Sequence, residues 1–98
     1  MRNSIGVPYA LQFPVMEEAL ILRYMARAYE TNTKAEVSGL ELQHKLGLDE
    51  RTVRRCVSEM ARQGLVEWDP HLHNMWLRIT DKGLARAGAY EVRRPPEN

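Results

Sequence analysis

The stretch Asp49–Gly64, DERTVRRCVSEMARQG, decides how the rest of the chain is read. At helical spacing, Val53, Val57 and Met60 form one apolar stripe. Asp49 is placed to accept from backbone N–H groups of the first turn, and Gly64 stands where a left-handed residue closes a helix. Around the stripe lie Arg51, Thr52, Arg54, Arg55, Ser58 and Arg62. Such a helix has one face for a core and one for a polyanion. Taken alone, it suits a nucleic-acid-facing helix and a solvated arginine-rich helix equally well.

The residues in front narrow the choice. Ser38–Glu41, SGLE, matches a capping box, in which Ser38 bonds the backbone N–H of Glu41 and the Glu41 side chain reaches back. Leu42 and Leu46 follow one turn apart with Leu40 nearby, so a short helix is predicted to end at Gly47. Leu48 fills the gap before the next helix starts at Asp49. Two helices joined by so tight a turn must cross steeply, which is a helix-turn-helix arrangement.

After Gly64 the period changes from helical to alternating. Leu65–Trp68 and Met75–Thr80 are short runs rich in β-branched and aromatic residues, separated by a turn holding Pro70 and Asn74. They predict an antiparallel hairpin with Leu77 and Ile79 facing the helices, and with Trp68 and Trp76 as a cross-strand pair. Those tryptophans with Tyr24 or Tyr29 are a candidate ligand pocket. Thr80 and Asp81 cap a final short helix offering Leu84 and Ala85 to the core, which Gly83 and Gly88 weaken.

At the other end, residues 1–13 are too apolar for a free tail and too broken by Gly6 and Pro8 for a helix. They read as an arm docked on the domain or on a partner subunit. Pro14 suits a first helical turn, with Glu17 and Glu18 favouring the positive end of the dipole. Ala19, Leu22, Ala26 and Tyr29, flanked by Leu20 and Met25, then give a buried first helix over residues 15–29. The run TNTKAEVSG reads as a loop. The division is an arm over 1–13, a domain over 14–90 and a flexible tail over 91–98, in which Arg93 and Arg94 are available to phosphates. The predicted class is mainly α with a small β-hairpin (α+β), in the order α-α-α-β-β-α.

A chain of 98 residues, 44% hydrophobic and 28% charged, has the composition of one modest folded domain. The net charge of +1 says little, but residues 51–62 hold four arginines against the single acid Glu59. Cys56 is the only cysteine, which excludes an intrachain disulfide and a cysteine-based zinc site. It reads as a buried structural thiol rather than a redox sensor. The N-terminus lacks the apolar run of a signal peptide and no segment reaches membrane-spanning length, so a cytoplasmic protein is expected, nucleoid-associated if bacterial or archaeal. Absence of a phosphate loop, a nucleophile motif and paired carboxylates points away from an enzyme.

The run Ser38-Gly39-Leu40-Glu41-Leu42, Leu46-Gly47-Leu48, Thr52-Val53, Val57, Met60 and Gly64-Leu65-Val66-Glu67 resembles winged helix-turn-helix domains. Ile79-Thr80-Asp81-Lys82-Gly83 is similar to the segment that closes the wing in regulators of the MarR and PadR kinds. The resemblance implies that residues 49–63 enter the major groove of double-stranded DNA. Arg51, Thr52, Arg54 and Arg55 would then meet base edges, and Ser58 and Arg62 the backbone. In the wing it puts His71, His73, Asn74 and Arg78 forward as contacts. MarR-type wings carry an arginine near the tip, however, whereas Asp69–Asn74, DPHLHN, has no basic residue besides histidine.

His71 and His73 share one side of an extended strand with Asp69, a spacing that invites a metal, but the fourth ligand is missing. No metal or cofactor is therefore assigned. The leading expectation is a small transcriptional regulator, homodimeric through the N-terminal arm and first helix. The alternatives are a winged-helix protein–protein interaction module in a larger assembly, and a replication or partition DNA-binding protein of a mobile element.

Overall fold

In the computed structural model, which describes residues 6–69 and 75–92 with side chains over 16–69 and 75–89, the first helix α1 runs Gly6–Thr31. It begins well ahead of Pro14, so residues 6–13 continue the helix instead of forming an irregular arm. Pro8 lies in the first turn, where its missing N–H has no helical acceptor to lose, and Pro14 forgoes a single interior bond. Glu17 and Glu18 consequently sit in mid-helix, away from the dipole end, and face other elements. The buried stripe of α1 is Glu18, Ile21, Leu22 and Met25. It is rotated from the predicted stripe: Ala26 and Tyr29 only flank the core, and Leu20 is exposed.

Residues expected to be a loop supply a strand, β1, Val37–Ser38. Two residues are too few to show alternation, and their pairing comes from a distant segment, so no local signal marks them. Ser38 also caps the second helix, α2, Gly39–Leu46: its hydroxyl accepts from the Glu41 N–H at 3.0 Å. The reciprocal half of the predicted capping box is replaced. The Glu41 carboxylate accepts a hydrogen bond from the Tyr24 hydroxyl, tying α2 to α1 and pushing the phenol pKa up to about 12.

Gly47 ends α2 in the left-handed conformation, φ 68°, and Leu48 tucks partly into the core. Two residues later α3, Glu50–Arg62, begins under Asp49, whose carboxylate accepts from the Thr52 N–H at 2.7 Å. Val53, Cys56, Val57 and Met60 are buried along one side. Gly64, φ 80°, then turns the chain as the sequence requires.

Strands β2, Val66–Trp68, and β3, Trp76–Ile79, form the expected antiparallel hairpin, slightly shorter than its sequence bounds. β1 adds to the free side of β3, so the sheet is three-stranded in the order β1-β3-β2. Pairing of Val66 with Ile79 and of Val37 with Leu77 puts all four side chains on the face that packs against α1 and α3. Trp68 lies opposite Leu77 and Trp76 opposite Ser38, so the tryptophans point to opposite faces and are not a cross-strand pair.

The last helix, α4, spans Asp81–Val92 and lies against α1. It is longer than predicted and absorbs two residues of the presumed tail. The Thr80 hydroxyl accepts from the Gly83 N–H at 3.0 Å and donates to the Gly64 carbonyl at 2.6 Å, capping α4 and fastening it to the α3–β2 corner. Leu84 and Ala87, one turn apart, face the core, whereas Ala85 is exposed. Among the described residues the result is a mainly helical α+β fold of four helices and a small antiparallel sheet.

Candidate functional site

α3 has two chemically distinct sides. Its inner side carries Val53, Val57 and Met60, all with no exposed surface, and Cys56. Its outer side presents Arg51, Arg54, Arg55, Ser58 and Arg62 to solvent, with Thr52 half-buried at the first turn. The structure therefore gathers the six residues singled out from the sequence on one element. Asp49, whose carboxyl is held below the usual range by the Thr52 N–H, fixes the start of that element.

The four arginines differ in what holds them. Arg54 reaches Glu50 at 3.4 Å, an exposed pair within α3. Arg62 makes two bonds to Glu59, Nε to Oε1 at 3.0 Å and Nη2 to Oε2 at 2.5 Å. Arg55 reaches off the helix: its Nη2 donates to Glu17 Oε1 on α1 at 2.9 Å. Arg51 makes no ion pair among the described residues. The two exposed pairs within α3, Arg54–Glu50 and Arg62–Glu59, are worth under about 1 kcal/mol each and yield readily to a phosphate or a base edge.

Beneath these side chains lies a cluster that the sequence reading missed. Glu17 Oε1 also accepts from the Cys56 thiol at 3.8 Å. Burial, reinforced by the Glu17 charge, pushes the Cys56 pKa up to about 11, so the neighbouring arginines do not activate it. Glu18 is 4% exposed. Burial raises its carboxyl pKa, Glu59 adds to the shift and Arg86 opposes it. The signal was present: Glu18, Ile21, Leu22 and Met25 fall on one helical stripe, and a carboxylate in such a stripe is a buried acid.

The other candidates lie elsewhere. Arg78 is on the outer face of the sheet, opposite Glu67 and bonded to Glu36 at 2.8 Å. His71, His73 and Asn74 lie outside the described residues, as do Arg93 and Arg94. Trp68 and Trp76 line a shallow groove with Glu36, Glu67, Asp69 and Arg78, while Tyr24 borders a separate depression with Leu20 and Leu46. These two depressions share no lining residue, so neither joins the tryptophans to Tyr24. Among the described residues no helix is long and apolar enough to cross a membrane. No family model matches the chain, and no match to it is found among curated proteins.

Proposed function

We propose that the chain is a winged helix-turn-helix domain that binds double-stranded DNA sequence-specifically, and that it serves as a small transcriptional regulator in the cytoplasm. The observation that carries this reading is the division of α3 into a buried apolar side and an arginine side, immediately after the tight Gly47–Asp49 turn from α2. In this reading α3 lies in the major groove. Arg51, Thr52, Arg54 and Arg55 address base edges near its start, and Ser58 and Arg62 address phosphates. β2 and β3 form the wing, but Arg78 is held between acids, so α3 supplies most of the affinity.

In this reading a second copy packs along α1, and the support for it is that Met16 and Leu20 there are 67% and 44% exposed. A two-fold dimer would read half-sites about 34–36 Å apart.

Selection from a random duplex pool, followed by fluorescence anisotropy across a salt series, tests the proposal. The expected result is an enriched, inverted-repeat sequence whose affinity falls steeply with salt. Absence of binding at low salt would remove it. The protein-interaction alternative draws on the sheet's outer face, where Trp76 stands beside the acids Glu36, Glu67 and Asp69 and a single arginine, Arg78. Stable co-purification of a protein partner without DNA affinity would favour that module.

A further inference from the structure

Arg55 differs from Arg54 and Arg62 in one structural respect. Their carboxylate partners, Glu50 and Glu59, lie on α3 itself, so those pairs travel with the helix. The partner of Arg55 is Glu17, thirty-eight positions away on α1. Glu17 is itself anchored, being two-thirds shielded, next to buried Glu18, and in contact with the Cys56 thiol through the same oxygen that holds Arg55. A guanidinium carries its donors along two edges of a rigid plane, so fixing one nitrogen on a carboxylate sets the direction of the rest. The Arg55 side chain is 60% exposed, which leaves its free donors facing solvent on the outer side of α3.

We propose that Glu17 is a positioning residue for sequence readout: it holds one edge of the Arg55 guanidinium from α1, so that the opposite edge meets a base in a fixed orientation. The inference rests on the DNA-binding reading and deepens it. A bidentate match to guanine N7 and O6 demands a defined plane, which a freely rotating arginine must order at the moment of binding. Glu17 orders it beforehand, at the cost of a negative charge near the phosphates. The same residue therefore raises discrimination and lowers sequence-independent affinity.

The test compares wild type, Glu17→Gln, Arg55→Ala and the double variant on the selected duplex and on an unrelated duplex, over a salt series. Glu17→Gln is expected to bind the unrelated duplex more tightly and to lose about tenfold in the ratio of specific to non-specific affinity, within the range set by one base contact. In the Arg55→Ala background the same substitution should leave that ratio unchanged, because there is no guanidinium left to orient. Side-chain 15N NMR of free protein should show the Arg55 guanidinium restrained in wild type and rotating in Glu17→Gln, with unfolding midpoints alike. An unchanged ratio in Glu17→Gln while wild type still selects its duplex overturns the positioning role alone. Equal effects in both backgrounds overturn it too, reducing Glu17 to a bulk charge. If wild type binds no duplex at low salt, the DNA reading falls and the role falls with it.

Discussion

The carbonyl oxygen of Leu65 lies 2.1 Å from the point where a Cβ on Gly83 would sit, and Ile79 Cγ1 lies 2.8 Å from the same point. The start of α4 therefore touches backbone at the α3–β2 corner, at a distance only glycine permits. Leu65 is fully buried and its carbonyl accepts the Thr80 N–H at 3.1 Å, so this corner cannot simply move aside. Gly83→Ala is expected to destabilise the fold by about 1–3 kcal/mol, although alanine is the better helix former. Urea unfolding monitored by tryptophan fluorescence measures it, and an unchanged midpoint would contradict the contact.

Gly88 is the complementary case. It stands in the same helix, exposed, with open space around its missing Cβ. Nothing but helix propensity acts there, so Gly88→Ala should stabilise by up to about 1 kcal/mol. Measured beside Gly83→Ala, the opposite sign separates a glycine needed for contact from one that merely loosens the helix. A loss of stability at position 88 would mean that this surface is covered in solution.

The punctuation of the chain was legible because it is local chemistry. Ser38, Gly47, Asp49 and Gly64 each fix a helix end through bonds made within a few residues, and each occupies its expected place. The burial of Val53, Val57, Met60, Leu77 and Ile79 followed from period alone. What escaped reading was non-local. β1 exists only through its pairing with β3, and α1 runs through Pro14 rather than starting there. Glu41 abandons the capping box because Tyr24 arrives from another helix. In the candidate site, the arginines were legible and their restraints were not. Glu17 and Glu36 are distant in sequence from Arg55 and Arg78, and no spacing announces such pairs.

Glu18 gives a pH dependence of definite sign. Its folded-state pKa is raised above 4.5, chiefly by burial and then by Glu59, so the folded protein favours the protonated carboxyl. The stability this group contributes is fully present below 4.5 and is lost as pH rises through the raised value. At pH 7 the buried carboxyl opposes folding, because the unfolded chain ionises it more readily than the folded one. Glu18→Gln removes the charge at nearly constant shape, so it should unfold at higher urea concentration than wild type at pH 7. The difference should shrink as pH approaches 4.5. A difference that is constant with pH would show that Glu18 acts through packing rather than charge.

Cys56 should be silent in the native state. It is 2% exposed and its pKa is pushed up to about 11, so the thiolate that reacts with disulfide reagents is scarce and enclosed at pH 8. Labelling with a chromogenic disulfide is expected to track unfolding, slow in buffer and immediate in denaturant. Rapid labelling of native protein would instead mark local opening of the α1–α3 seam, where Glu17 holds Arg55.

The arginines of α3 should separate by position and by restraint. Arg51 stands at the start of the helix without an ion pair among the described residues, so it gives up no salt bridge on meeting DNA, only side-chain freedom. Arg62 stands at the far end, held by two bonds to Glu59, and must give these up to reach a phosphate. Under the proposed binding mode, Arg51→Ala should weaken binding to the selected duplex by about 1–3 kcal/mol and relax preference at one base pair. Arg62→Ala should weaken all duplexes alike and by less, flattening the slope of log affinity against log salt by at most about one phosphate's share. Competition anisotropy against single-base variants of the selected site distinguishes the two patterns. Equal, sequence-independent losses at both positions would mean that α3 lies along the backbone rather than in the groove.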